Sequence, residues 1–149
     1  MKKTYYLVSG GFDPIHEGHI DMIKAGAAAS DGVIILLNSD EWLIKKKGRY
    51  FMTAKTRRAI CENMKGVVDV VEFEDDEKGS ACNGIRAARA KYPDAELVFA
   101  KGGDRTAGNI PENEAPVCEE CDVGMAFGVG GENKANSSSW ILKNWSSDK

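Results

Sequence analysis

Residues 5–37 read YYLVSGGFDPIHEGHIDMIKAGAAASDGVIILL, and their order decides the fold. Tyr5 to Ser9 is a short apolar and aromatic run that ends at Gly10-Gly11, which predicts a strand stopping at a turn. Ile20 to Ala29 is apolar and alanine-rich, a helix. Gly32 to Leu37 shows no alternation at all, as expected of a parallel strand covered on both faces. Strand, helix, strand in this order is a βαβ unit, and a right-handed crossover makes the two strands parallel. The pattern continues outward. Lys45 to Arg49 reads as a basic loop, Thr53 caps a helix running to about Met64, and Val67 to Phe73 (VVDVVEF) is a strand followed by an acidic turn. Ser80 to Tyr92 is a helix closed by Pro93, and Glu96 to Ala100 is a strand ending at Lys101-Gly102-Gly103-Asp104. Asp122 to Val129 is a last strand interrupted by glycines, and Ser137 to Trp145 a final short helix. The segment from Arg105 to Glu120 is polar and proline-interrupted, which suits a lid or substrate loop. The fold class is therefore α/β: a doubly wound, mostly parallel sheet with helices on both faces.

A chain of 149 residues suits one domain, residues 1–149, and can bury a core without metals or disulfides. Lys plus Arg number 20 against 23 Asp plus Glu, a net charge of -3 that argues against a general nucleic-acid surface. No stretch approaches the length of a membrane span. The start has a basic pair and a short apolar run, then a histidine loop where a signal peptide needs its hydrophobic segment. The expectation is a soluble, cytoplasmic protein. Cys61 and Cys82 lie in apolar-periodic stretches and read as buried thiols. Cys118 and Cys121 form one Cys-x-x-Cys with no second pair and no nearby histidine, so two thiols on a short helix fit better than a zinc site.

In open α/β sheets ligands bind beyond the carboxyl ends of the strands, and three polar clusters fall there. The first is GGFDPIHEGH. Gly10 and Gly11 let the backbone pass close to a phosphate, and a helix start with exposed amides attracts an anion. His16 and His19, the two histidines of the chain, project from the same side of that helix start. Two donors beside an anion site suit a phosphoryl-type transition state. A capping histidine with a solvent histidine, or half a metal site, are the alternatives. Phe12 reads as packing, and Asp13 as a loop-orienting residue, a magnesium ligand or a turn cap. The second cluster, KKKGRY, offers Lys45, Lys46, Lys47 and Arg49 to a second phosphate, with Arg57 and Arg58 one turn into the next helix. The third, KGGDR, offers Lys101 and Arg105 to phosphate and Asp104 to metal or nucleotide. Ser137, Ser138 and Ser139 precede an apolar helix, as its cap or as a cradle for outer phosphates. Neither a Walker loop nor a dinucleotide fingerprint occurs.

The stretch GGFDPIHEGH resembles the Gly-x-Phe-Asp-x-x-His-x-Gly-His signature of the cytidylyltransferase-like nucleotidyltransferases. The resemblance implies a Rossmann-like fold, a CTP or ATP co-substrate with Mg2+, and nucleotidyl transfer to a phosphorylated alcohol or sugar with release of pyrophosphate. By similarity, Gly10, Gly11, Phe12, Asp13 and Gly18 form the nucleotide loop, and His16 and His19 bind the α and β phosphates. Lys45 to Lys47 contain the lysine that meets the second substrate, with Lys46 taken as catalytic. Arg57 or Arg58 faces the nucleotide phosphates: the spacing to Val68-Asp69 favours Arg58, with Arg58 taken as catalytic, and the spacing from Arg49 favours Arg57. Asp104 lies near the ribose, base or metal, and SSSWI resembles the Ser-Thr-Thr/Ser-x-Ile motif that holds the outer phosphates. KGGD resembles the heptose 1-phosphate adenylyltransferase domains; the small single domain with Lys-Lys-Lys resembles glycerol-3-phosphate cytidylyltransferase. The heptose enzymes' proline after the loop arginine is replaced by Tyr50, and the Arg-Thr-x-Gly of the glycerol-3-phosphate enzymes by GENKAN. Both nucleotide and acceptor therefore stay open. A homodimer is implied by the same similarity. The rival expectation is a nucleotide-binding regulatory module without catalysis.

Overall fold

The computed structural model describes residues 2–102, 113–130 and 138–147, the last group including five positions at which only the backbone is described. The elements follow in the order β1 (Thr4–Gly10), α1 (Glu17–Ala28), β2 (Val33–Leu37), α2 (Asp40–Lys47), α3 (Ala54–Glu62) and β3 (Val67–Glu72). After these come α4 (Cys82–Lys91), β4 (Glu96–Gly102), α5 (Glu114–Glu120), β5 (Val123–Val129) and α6 (Ser138–Ser147). Among the described residues the sheet has five strands in the order β3-β2-β1-β4-β5, and every pairing is parallel. The order turns at β1, which pairs with β2 on one side and β4 on the other. That is the switch point where a doubly wound sheet opens a crevice. No helix among the described residues is long and apolar enough to cross a membrane.

The unalternating run of β2 is explained by two cores. Ile34 and Leu36 face one cluster with Leu7, Ile85, Leu97, Phe99 and Val117, the side covered by α4 and α5. Val33, Ile35 and Leu37 face the other with Val8, Ile23, Cys61 and Val70, the side covered by α1 and α3. All five residues of β2 are fully buried, and each such aliphatic side chain contributes about 1.5–3 kcal/mol of transfer free energy.

Two expectations from the sequence need correction. Lys45 to Lys47 are not in a loop; they form the last turn of α2. Ser39 caps this helix by accepting the Trp42 amide at 3.0 Å, Asp40 and Glu41 occupy its first turn, and three lysines face the negative end of its dipole. Gly48 closes it at φ 87, the left-handed conformation that glycine adopts without strain. Likewise the polar segment from Arg105 to Glu120 carries helix α5 over its last seven residues. Pro116 sits in that helix's first turn, where its missing N–H breaks no helical bond.

Candidate active site

The polypeptide leaves β1 at Gly10 and turns sharply into α1. Gly11 packs closely against α2: a Cβ at this position would lie 2.9 Å from Leu43 Cδ2, and the leucine side chain would have to shift. Phe12 takes a left-handed φ of 53 and is buried at 2 % exposure, its ring 4.5 Å from that of His19. Asp13 is 1 % exposed, and its two oxygens accept the amides of Phe51 (2.6 Å) and Met52 (2.7 Å). It ties the histidine loop to the segment that follows α2.

His16 and His19 cap α1 reciprocally. His16 stands at the N-cap position, and its Nδ1 accepts the Gly18 amide at 3.0 Å. His19 Nδ1 in turn accepts the His16 amide at 3.2 Å, and the two rings lie 4.0 Å apart. This is a capping box built from imidazoles. An Nδ1 that accepts a backbone N–H carries no proton, so each neutral ring must carry its proton on Nε2. Burial above all, with smaller electrostatic contributions from His16 and Lys47, pushes the His19 pKa down to about 3. His19 is therefore a neutral donor at any working pH, a role that needs no imidazolium.

The three lysines of α2 divide. Lys47 turns toward the histidine loop, its Nζ 3.5 Å from the Asp13 carbonyl, and burial lowers its pKa below the ordinary lysine value despite the nearby Asp13 charge. Lys45 and Lys46 instead line a pocket of about 500 Å³ at the carboxyl ends of β1, β2 and β4. Lys46 lies 4.6 Å from the Trp42 ring centre, and the indole is fixed by a 2.9 Å bond from Nε1 to the Gly79 carbonyl. Arg49 is exposed beyond the Gly48 cap. Lys101, at the end of β4, reaches the same pocket. Ser9 and Gly10 also line it, so the pocket begins where the histidine loop departs.

The adjacent arginines of α3 have different surroundings. Arg57 is fully buried. Its Nη1 donates to the carbonyls of Gly11 (2.9 Å) and Asn38 (2.7 Å), Nε to Met52 (3.0 Å) and Nη2 to Asp40 Oδ1 (2.6 Å). One guanidinium thus pins the histidine loop, the β2–α2 turn and the segment after α2. Arg58 is one-third exposed and pairs with Glu72 at 2.7 Å and Glu62 at 3.4 Å, contacts that raise its pKa.

Asp104, Arg105 and Ser137, together with the side chains of Ser138 and Ser139, lie outside the described residues; Ser138 and Ser139 begin α6. Among the described residues no group of three or more His, Cys, Asp or Glu side chains is arranged to hold a metal ion. Cys118 is buried on α5 with its thiol pKa pushed up to about 12, chiefly by burial, which leaves it a poor nucleophile. Sequence reasoning passed over Trp42, Asp75 and Glu114, all in the pocket wall. The signal available for Asp75 was the acidic turn after β3, which sits at the ligand-binding edge of the sheet.

Comparison with known proteins gives three kinds of match. Residues 7–119 match the family model described as cytidylyltransferase-like. Curated relatives include the bifunctional protein HldE of Gluconobacter oxydans (strain 621H), 27 % identical over 106 residues, covering 70 % of this chain and 20 % of that protein. The HldE of Hyphomonas neptunium is 32 % identical over 106 residues, again 70 % of this chain and 20 % of the other. The phosphopantetheine adenylyltransferase of Clostridium novyi (strain NT) is 34 % identical over 95 residues, 62 % of this chain and 51 % of that enzyme. The chain thus spans about a fifth of the length of the HldE proteins it matches. Among solved structures, the lipopolysaccharide core biosynthesis protein from Thermoplasma volcanium GSS1 superposes with a TM-score of 0.61 at 15 % identity, covering 84 % of this chain and 93 % of that one; it shares the fold.

Proposed function

The chain belongs to the cytidylyltransferase-like family of nucleotidyltransferases, and from that premise we propose that it transfers AMP from ATP, or CMP from CTP, to the phosphate of a small sugar or alcohol. Heptose 1-phosphate and glycerol 3-phosphate represent the two acceptor types. ATP is the favoured donor, because the relative whose name states its nucleotide is an adenylyltransferase. The observation that carries the proposal is the histidine capping box. It gives two neutral rings, each with an Nε2–H donor, at a helix N-terminus whose amides favour an anion.

The step is an in-line displacement. An oxygen of the acceptor's phosphate attacks the α phosphorus, the bond from that phosphorus to the bridging oxygen breaks, and pyrophosphate leaves with the electron pair. A phosphate acceptor is already anionic, so no general base and no covalent enzyme intermediate are required. His16 and His19 donate to the oxygens on which negative charge grows, and Lys47 adds a cation beside them. Lys45, Lys46 and Lys101 take the acceptor's phosphate from the pocket side. Asp13 spends both oxygens on backbone amides. Magnesium enters with the nucleotide substrate, as the Mg2+ complex of the triphosphate. Arg57 works at one remove by holding three site segments in register.

Phosphorus NMR of the purified protein with ATP or CTP and each acceptor tests the proposal. The expected result is a new pyrophosphate-diester signal together with free pyrophosphate in one of the four mixtures. Nucleotide binding without any new diester would favour the regulatory module instead.

A further inference from the structure

Lys101 and Glu114 form a pair across the pocket wall, and the signature motif does not account for it. The Lys101 side chain is 14 % exposed and that of Glu114 only 3 %, with Nζ 3.4 Å from Oε1. The lysine's ammonium also lies 4.9 Å from the Phe99 ring centre. Glu114 Oε2 accepts the Ala81 amide at 2.9 Å. That bond matters because Ala81 occupies the N-cap of α4 and has no capping side chain. A single buried carboxylate therefore joins the end of β4 to the start of α4. The neighbouring Asp76 does not compete for Lys101. It accepts from the amides of Lys78 and Ser80, the Ser80 hydroxyl and Asn113 Nδ2.

Lys45 and Lys46 also line the pocket, both exposed on the last turn of α2, Lys46 with its ammonium 4.6 Å from the Trp42 ring centre; Lys101 differs in being held by a buried carboxylate. A long exposed side chain loses rotamer entropy on every binding event, whereas a cation already fixed loses little. Burying Glu114 without a cation costs several kcal/mol, and the pairing with Lys101 offsets this. In return, the glutamate keeps the ammonium on the pocket wall.

We propose that Glu114 is a positioning residue that presents the Lys101 ammonium to the phosphate of the acceptor, making Lys101 the preorganised anion anchor of the pocket. The identity of that phosphate as the acceptor's rests on the function proposed above; the pair itself does not.

Glu114→Gln separates positioning from structure. The Gln carbonyl still accepts the Ala81 amide, so α4 keeps its cap. Its NH2 then faces the Lys101 ammonium, donor against donor, so the carboxylate's hold on the lysine is lost. The experiment is calorimetric titration of inorganic phosphate and of glycerol 3-phosphate into the parent protein, Glu114→Gln, Lys101→Met and the double variant, with pyrophosphate release measured in parallel. Expected are a Kd for phosphate about tenfold higher in each single variant, the effect of losing one charge-assisted contact. The double variant should bind no worse than Lys101→Met, and the nucleotide KM should stay within about twofold of the parent. Unchanged phosphate affinity in Glu114→Gln, or in Lys101→Met, would overturn the inference, as would additive losses in the double variant. Should Glu114→Gln fail to fold, Lys101→Met alone decides whether phosphate uses this anchor. A parent protein that releases no pyrophosphate but loses phosphate affinity on Glu114→Gln would retain the anchor and lose the proposed transfer.

Discussion

Replacing Arg57 by methionine removes four hydrogen bonds from the interior and leaves three carbonyls and one carboxylate without their donor. Each such bond is worth about 1 kcal/mol net, so the four amount to ~4 kcal/mol. Two corrections oppose each other. The stranded Asp40 charge adds a penalty, tempered because its side chain is 30 % exposed and keeps some water. Methionine fills part of the vacated space and regains some apolar burial. A net loss of ~4 kcal/mol at ~3 °C per kcal/mol lowers the Tm by about 12 °C. The control is the adjacent Arg58→Met. Its two ion pairs join side chains that are 34 % and 48 % exposed, and such pairs contribute about 0–1 kcal/mol each, so at most ~2 kcal/mol together, or under ~6 °C. Urea unfolding of both variants, beside thermal melts, gives the two free energies directly. Equal destabilisation of the two, or a larger loss for Arg58→Met, would refute the assignment of Arg57 as the clamp of the site.

The neutral state of His19 sets a pH dependence. Its pKa falls from an ordinary 6.5 to about 3 on folding, so the native state binds fewer protons than the unfolded chain between those values. The corresponding stability is fully present above pH ~6.5 and is lost on acidification at up to ~1.4 kcal/mol per pH unit, down to pH ~3. His19→Gln should remove about one proton's worth of that slope between pH 6 and 4, read from urea unfolding at several pH values; an identical slope would contradict it. Asp13→Asn keeps one acceptor but turns an NH2 against the Phe51 or Met52 amide. It should cost ~2–3 kcal/mol and increase hydrogen exchange at those two amides; unaltered exchange would mean that the tie is not what holds the segment.

The sheet was legible because parallel strands leave an unmistakable pattern: Val33 to Leu37 has no polar side, and the structure supplies a core for each face. The histidine loop was legible as a motif, yet its mechanics were not, since nothing in the spacing of His16 and His19 states that each Nδ1 accepts a backbone amide. Charge misled at α2. Three consecutive lysines read as a basic loop, whereas at a helix C-terminus the dipole favours them, and one helical turn sends Lys47 to the histidines and Lys45 and Lys46 to the pocket. Arg57 and Arg58 are adjacent and chemically identical, so only the direction of each side chain from α3 separates a buried clamp from a surface pair. Glu114 was hidden in a segment whose polarity and proline suggested a loop. Its role depends on Ala81 and Lys101, which are 33 and 13 residues away.

The central claim, that neutral His16 and His19 act as Nε2–H donors during nucleotidyl transfer, is tested most directly by pyrophosphate release from His16→Asn and His16→Gln with the donor and acceptor the parent uses. Asparagine reproduces the Nδ1 acceptor and the helix cap but has no donor at the Nε2 position; glutamine reproduces the donor but not the short cap. The account predicts that His16→Asn keeps the parent's Tm within a few degrees and loses ~10²–10³-fold in kcat, while His16→Gln is less stable yet retains more turnover. Turnover near the parent's in His16→Asn, or the opposite ranking of the two variants, would contradict it.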